Sequence, residues 1–248
     1  MLKKLYDKSQ LAFALVWIGA YCVLFSVGDN LSAALGVEKS VTLLVGLVMT
    51  AVLFGFLAKH GLLSAYGLCR AKATPKSVLY YIPLFLMLTV NLWHGVALNG
   101  TIPEILLYVL TMLCVGFLEE VIFRGLLFSA MRQSNLKAAV IVSSLTFGIG
   151  HIINLLNGSG ADLVSNLLQV VYATAAGFMF VMLFCKTKSL LACIVTHGIF
   201  NALSVFAGKG ATTPKAQILS ALFLTLLTGA YALYIALSLR QTKTDQPS

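Results

Sequence analysis

Two carboxylates and a guanidinium, Glu119, Glu120 and Arg124, stand within six positions of one another in FLEEVIFRGLLF, inside an otherwise uncharged apolar run from Ile105 to Met131. Charged side chains at the middle of a membrane-crossing helix cost on the order of 2.5–3.5 kcal/mol each on insertion scales, so they need compensation or a task. Part of the compensation is local. Glu120 and Arg124 are i and i+4 on a helix, with the acid on the amino-terminal side, the favourable order for a pair on one face. That spacing suits a structural clamp. Glu119 points about 100° away from the pair and has no adjacent cation in the sequence.

Two more stretches place polar groups at similar depth: FGIGH, residues 147 to 151, and HGIFN, residues 197 to 201. Counted from the helix centres at about 1.5 Å per residue, Glu119, His151, His197 and Asn201 each fall within about 6 Å of the midplane. His197 and Asn201, i and i+4, share a face. A lone His or Asn in such a helix is usually a hydrogen-bonded packing residue, but four such groups on three helices in one slab point to a reaction site or an ion path. One arrangement has the carboxylate take a proton from water, an imidazole orient that water, and a His–Asn pair donate to the oxyanion formed as the water attacks an amide. In another, the two imidazoles and a carboxylate hold a divalent metal such as zinc, whose bound water is the nucleophile. Both end in hydrolysis of a carbonyl compound within the bilayer. A third use of buried Glu, His and Arg is a proton relay in a proton-coupled transporter.

The elements that position these residues follow from composition. Of 248 residues 59% are hydrophobic and 10% charged, and the mean hydropathy is +0.94; a soluble domain is typically about 25% charged. This is the composition of a multi-pass membrane protein. Runs of about 20 apolar residues count as spans, and eight emerge, near 11–28, 40–59, 78–98, 103–131, 136–156, 162–185, 189–207 and 215–239. They are separated by GDN, ATPK, NGTIP, RQSN, NGSGAD and ATTPK, the punctuation expected of turns. The fold class is therefore all-α, a single transmembrane domain over 1–248 with the motif-bearing core at 103–207. No inverted repeat accompanies it, which disfavours the transporter.

Thirteen Lys and Arg fall in the amino terminus, the even-numbered loops and the tail, while the alternate loops hold Lys39, Lys209 and Lys215. By the positive-inside rule both termini are expected in the cytoplasm. In a membrane protein this distribution accounts for the formal charge of +9 without a nucleic-acid partner. The first span follows a basic amino terminus without an A-x-A-like site and is expected to be retained. The five cysteines show no metal-ligand or redox spacing. His60 and His94 lie at span ends and carry no assigned role. Ser159 of NGSG lacks the setting of a serine nucleophile.

EEVIFR, FGIGH and HGIFN resemble, in order, the EExxxR, FxxxH and HxxxN motifs of the CPBP family, also called Abi proteins: CAAX-type prenyl proteases, including the Ras-converting endopeptidases, and bacteriocin-processing or immunity proteins. The resemblance covers about residues 115 to 205. It implies an eight-helix bundle with a conical cavity open towards the cytoplasmic side, in the plasma membrane of a prokaryote. It implies intramembrane endopeptidase activity on a membrane-associated peptide or protein, with Glu119 as general base, His151 activating the water, and His197 and Asn201 stabilising the oxyanion. Glu120 and Arg124 would hold the helices. The family is described both as metalloproteases and as metal-independent glutamate proteases. A divalent metal on His151 and His197, or no cofactor, are the corresponding expectations. A non-catalytic immunity or scaffold member is the alternative within the family.

Overall fold

The computed structural model describes residues 2–71, 81–157 and 162–244. A short α1 (Leu2–Lys8) leads into α2 (Gln10–Ala34), whose start is fixed by Ser9: its extended backbone leaves the helix and its hydroxyl accepts from the Ala12 amide at 3.1 Å. α3 (Ser40–Lys59), α4 (Ile82–Leu92), α5 (Ile102–Arg132), α6 (Leu136–Leu155), α7 (Leu163–Thr187), α8 (Leu191–Phe206) and α9 (Pro214–Thr244) follow. Among the described residues the only β pairing is an isolated bridge between Val96 and Ala207.

Six of these helices, α2, α3, α5, α6, α7 and α9, are long and apolar enough to cross a membrane. Among the described residues the third and seventh expected spans are shorter, and residues 78–80 of the third lie outside them. Pro83 sits in the first turn of α4, and Gly95, at φ 102°, lies in the turn beyond its carboxyl end. The ATPK break, Lys72 and Lys76 lie outside the described residues. α8 begins only after Lys188, at φ 58°, and ends where Ala207 turns extended. In both cases the apolar run continues through residues that are not helical, and hydropathy alone cannot distinguish the two. α2 shows the converse: it continues past the GDN break to Ala34. The Asp29 carboxylate accepts from Lys39 Nζ at 2.8 Å and Thr42 Oγ1 at 2.6 Å, and the Asn30 amide donates back to the Ser26 carbonyl at 2.8 Å, so the polar groups are satisfied without ending the helix.

α5 is the axis of the bundle: every residue from Leu118 to Ser129 is buried. On one side Phe13 and Trp17 of α2 and Phe56 of α3 pack against Leu118, Ile122 and Leu126. A second core joins Met179, Phe180 and Leu183 of α7 to Leu224 and Ile235 of α9 and Phe200 of α8. α7 starts at Asp162, whose carboxylate accepts from the Val164 and Ser165 amides, both at 3.0 Å. The Ser165 hydroxyl and amide hold that carboxyl below the usual carboxylate range. Large apolar side chains cover the outside, among them Leu15, Leu47, Phe85, Leu222 and Leu226. In water such a surface would be untenable, and it is the surface of a multi-pass membrane protein.

Candidate active site

Three helix crossings bring the polar motifs together, and small residues permit two of them. A Cβ on Gly116 of α5 would stand 2.5 Å from the Gly198 amide nitrogen of α8. A Cβ on Gly148 of α6 would stand 1.9 Å from Thr174 Oγ1 and 2.8 Å from the Thr174 amide nitrogen of α7. Close backbone approach of this kind is what small residues provide between membrane helices. Gly116 lies three residues before Glu119, and Gly198 directly follows His197, so this close contact of α5 with α8 sits beside those two side chains.

Within α5, residues Glu120–Leu127 form a π-helical segment, with the Phe128 amide bonded to the Phe123 carbonyl five residues back. Such segments are rare and recur at functional sites. Glu120 and Arg124 still meet, Nη1 to Oε1 at 3.0 Å, and neither side chain is exposed. The guanidinium carbon lies 3.9 Å from the centroid of Phe147 and 5.5 Å from that of Phe180. Arg124 is thus held between α6 and α7 by ring faces as well as by charge.

His197 joins the two glutamates. Its Nδ1 is 2.9 Å from Glu120 Oε1, and its Nε2 is 3.5 Å from Glu119 Oε2. With Nδ1–H donating to the Glu120 carboxylate, the ring is oriented with Nε2 towards Glu119. Phe180 stacks on this ring at 5.9 Å and Phe147 meets it edge-on at 5.6 Å. Glu119 Oε1 accepts from the Tyr21 hydroxyl of α2 at 2.6 Å. Glu119 Oε2, also buried, has no hydrogen-bond donor among the described residues.

A cavity of about 300 Å³ opens on the other side of Glu119. Tyr21, Glu119, His151 and Asn201 line it. His151 donates from Nδ1 to the Phe147 carbonyl at 3.0 Å, since a carbonyl can only accept, so its Nε2 carries the lone pair. Asn166 of α7 donates to the His151 carbonyl at 2.8 Å and ties the end of α6 in place. His197 stands behind the wall, 5% exposed at its side chain. All six residues singled out by type and spacing therefore lie in one region: Glu119, His151 and Asn201 on the cavity, Glu120, Arg124 and His197 beneath it.

Residues 101–203, which contain all three motifs, match the family model described as Type II CAAX prenyl endopeptidase Rce1-like. The motif-bearing core of this chain is similar to that family. A Bacillus subtilis (strain 168) protein named "Putative membrane peptidase YdiL" is 34% identical over 111 residues, which cover 44% of this chain and 40% of that relative. No solved structure matches the chain.

The metal expectation can be put to the same geometry. Among the described residues no group of three or more His, Cys, Asp or Glu side chains is placed to hold a metal ion. One His197 nitrogen is committed to Glu120, and the Nδ1 of His151 is committed to a carbonyl. The residues as placed do not make a three-ligand set. All five cysteines are free thiols.

Two participants were not assigned roles from sequence. Tyr21 is one aromatic among many in an apolar helix, 98 positions from the carboxylate it contacts, and nothing in its neighbourhood marks it. Phe147 was visible as the first residue of FGIGH. Its ring touches Arg124, His151 and His197 at once, 3.9, 5.1 and 5.6 Å between centres, which no spacing rule encodes.

Proposed function

We propose that this protein is an intramembrane endopeptidase in which Glu119 is the general base and His151, His197 and Asn201 complete the catalytic group. The observation that carries the proposal is the unequal commitment of two adjacent carboxylates. Glu120 is bound through Oε1 to both Arg124 and His197 in a closed pocket, whereas Glu119 lines the cavity and has no Lys or Arg partner among the described residues. A carboxylate so placed can accept a proton from a water molecule.

The steps balance on these residues alone. As the water oxygen bonds to the amide carbon, one water proton passes to Glu119 and the carbonyl oxygen becomes an oxyanion. Asn201 on the cavity wall is the donor to that oxyanion, while His197, one turn away on the same helix, orients the two glutamates from beneath. His151 Nε2 accepts from the attacking water and orients it. When the carbon–nitrogen bond breaks, the proton on Glu119 goes to the leaving amine, and the carboxylate is restored. Tyr21, donating to Oε1, holds the carboxylate at the cavity wall.

The membrane-peptidase name of the relative supports the same reading. The test is a comparison of peptide termini in membranes from cells carrying the wild type or Glu119→Gln. Termini present only with the wild type are expected. Identical sets would remove the peptidase assignment. A purified, metal-analysed sample treated with chelator is expected to keep its activity; loss that zinc restores would instead assign the histidines to a metal.

A further inference from the structure

The lining of the cavity among the described residues lies towards one end of the bundle. From Tyr21 and Glu119 the wall runs through Ser26 and Asp29 of α2 to Lys39 and Thr42 at the start of α3, and through Tyr108 of α5 and Ser204 of α8. Each of these residues lies on its helix on the side away from the chain termini. In the opposite direction Glu119 is followed by the closed core of Leu118, Ile122, Leu126 and Phe128, all at most 2% exposed. The closed end carries the basic residues: Lys3, Lys4, Lys8, Lys59, Arg132, Lys137, Lys186 and Lys188 lie at or beyond the helix ends there. The open end holds Lys39, Lys209 and Lys215 against Asp29, Glu38, Glu104 and Asp162. Lys39 is neutralised by Asp29 at 2.8 Å.

By the positive-inside rule the closed, basic end faces the cytoplasm. The mouth then faces the other way, contrary to the cytoplasmic opening that the family resemblance implies. We infer that the cavity admits its substrate from the extracytoplasmic side, as an extended, uncharged segment of an exported, membrane-anchored polypeptide. The polypeptide part of this inference rests on the endopeptidase proposed above, whereas the side of entry stands on the geometry and charge alone.

The wall supports the chemical class. Asn91, Asn154, Asn157, Gln169 and Asn201 place five carboxamides on it. A carboxamide offers a donor and an acceptor in one plane, the pairing a peptide group requires. The rim amides are already held in line, Asn157 donating to Asn154 at 3.2 Å and Asn154 to Gln169 at 3.1 Å. From Asp29 to Tyr21 along α2 is about 12 Å at 1.5 Å per residue. That depth takes three to four residues of extended chain at about 3.3 Å each. The charged pair in the lining, Asp29 and Lys39, is already matched to each other and offers a charged segment no free partner.

Entry side and proteolysis are separable by two measurements on the full chain in cells. Single variants Ser26→Cys, on the cavity wall, and Ser64→Cys, exposed at the closed end, are treated with a membrane-impermeant maleimide, and modified peptides are mapped by mass spectrometry against the native cysteines. Ser26→Cys is expected to react in intact cells and Ser64→Cys only in inside-out vesicles. Reaction of Ser26→Cys only in inside-out vesicles, or from neither side, overturns the inference. In the second measurement, termini that depend on Glu119 are expected to map to extracytoplasmic segments of membrane-anchored proteins. Termini in cytoplasmic segments overturn the entry side while leaving proteolysis intact. Absence of any Glu119-dependent terminus, with Ser26→Cys reactive from outside, sinks the peptidase and its polypeptide substrate but not the orientation of the mouth.

Discussion

Above Glu119 the bundle is open and lined by carboxamides and hydroxyls; below it, around Glu120, it is closed by aromatic rings and aliphatic side chains. The two regions meet at the peptide bond between adjacent glutamates, at His197, which approaches both carboxylates, and at Phe147, which lines the cavity and packs on Arg124. In the lower region every charged group has a partner, and Arg124, Glu120 and His197 are placed by α5, α6, α7 and α8 together. In the upper region Glu119 lines the cavity and has no Lys or Arg partner among the described residues. The difference teaches how a membrane helix can carry two carboxylates: one compensated by structure and the other available for chemistry.

Breaking the lower region is expected to have the largest effect. Arg124→Ala leaves Glu120 buried without its cation, a loss of roughly 3–5 kcal/mol for one member of a buried pair. Folded yield in detergent and thermal midpoint should both fall sharply, and activity with them. A well-folded, inactive Arg124→Ala protein would instead place the guanidinium in the chemistry.

Next in size is Gly116→Ala. The added methyl would meet the Gly198 backbone at 2.5 Å, so α5 and α8 must separate. Overpacking of this kind costs about 1–3 kcal/mol. The same shift draws His197 away from both glutamates, so activity should drop more than the thermal midpoint alone accounts for. An unchanged midpoint would show that the crossing is softer than the contact distance implies.

The smallest expected effect belongs to the upper region. Tyr21→Phe removes one hydrogen bond to a carboxylate, worth about 1.5 kcal/mol at the lower end, or about tenfold in rate. Its thermal midpoint should stay near the wild type, since the ring packing against Phe25 at 4.5 Å remains. A fall in stability without a fall in rate would make Tyr21 a packing residue.

Much of this architecture was legible beforehand because hydropathy and charge are local properties. The second expected span, 40–59, coincides with Ser40–Lys59, and the fourth and fifth agree within one residue with Ile102–Arg132 and Leu136–Leu155. Where the apolar run outlasts the helix, as at Trp93 and at Ala207, composition could not show the end. The six residues at the site were legible because charged and amide side chains are conspicuous in an apolar run. Their wiring was not: the bond from His197 to Glu120 rather than a free His–Asn pair depends on how closely α5 and α8 approach at Gly116 and Gly198. Nor could the direction of the cavity mouth be read, since it emerges from which helix ends splay and which close.

The division of labour between the two glutamates is tested most directly by comparing Glu119→Gln with Glu120→Gln in one assay, reading folded yield and the hydrolysis rate of a peptide taken from a Glu119-dependent cleavage site. Glutamine preserves shape and removes basicity. Glu119→Gln is predicted to fold as the wild type does and to lose at least about 10²-fold in rate, the lower end for general-base catalysis, while Glu120→Gln is predicted to lose folded yield. Wild-type hydrolysis by Glu119→Gln, or a fully folded but inactive Glu120→Gln beside it, would contradict the account.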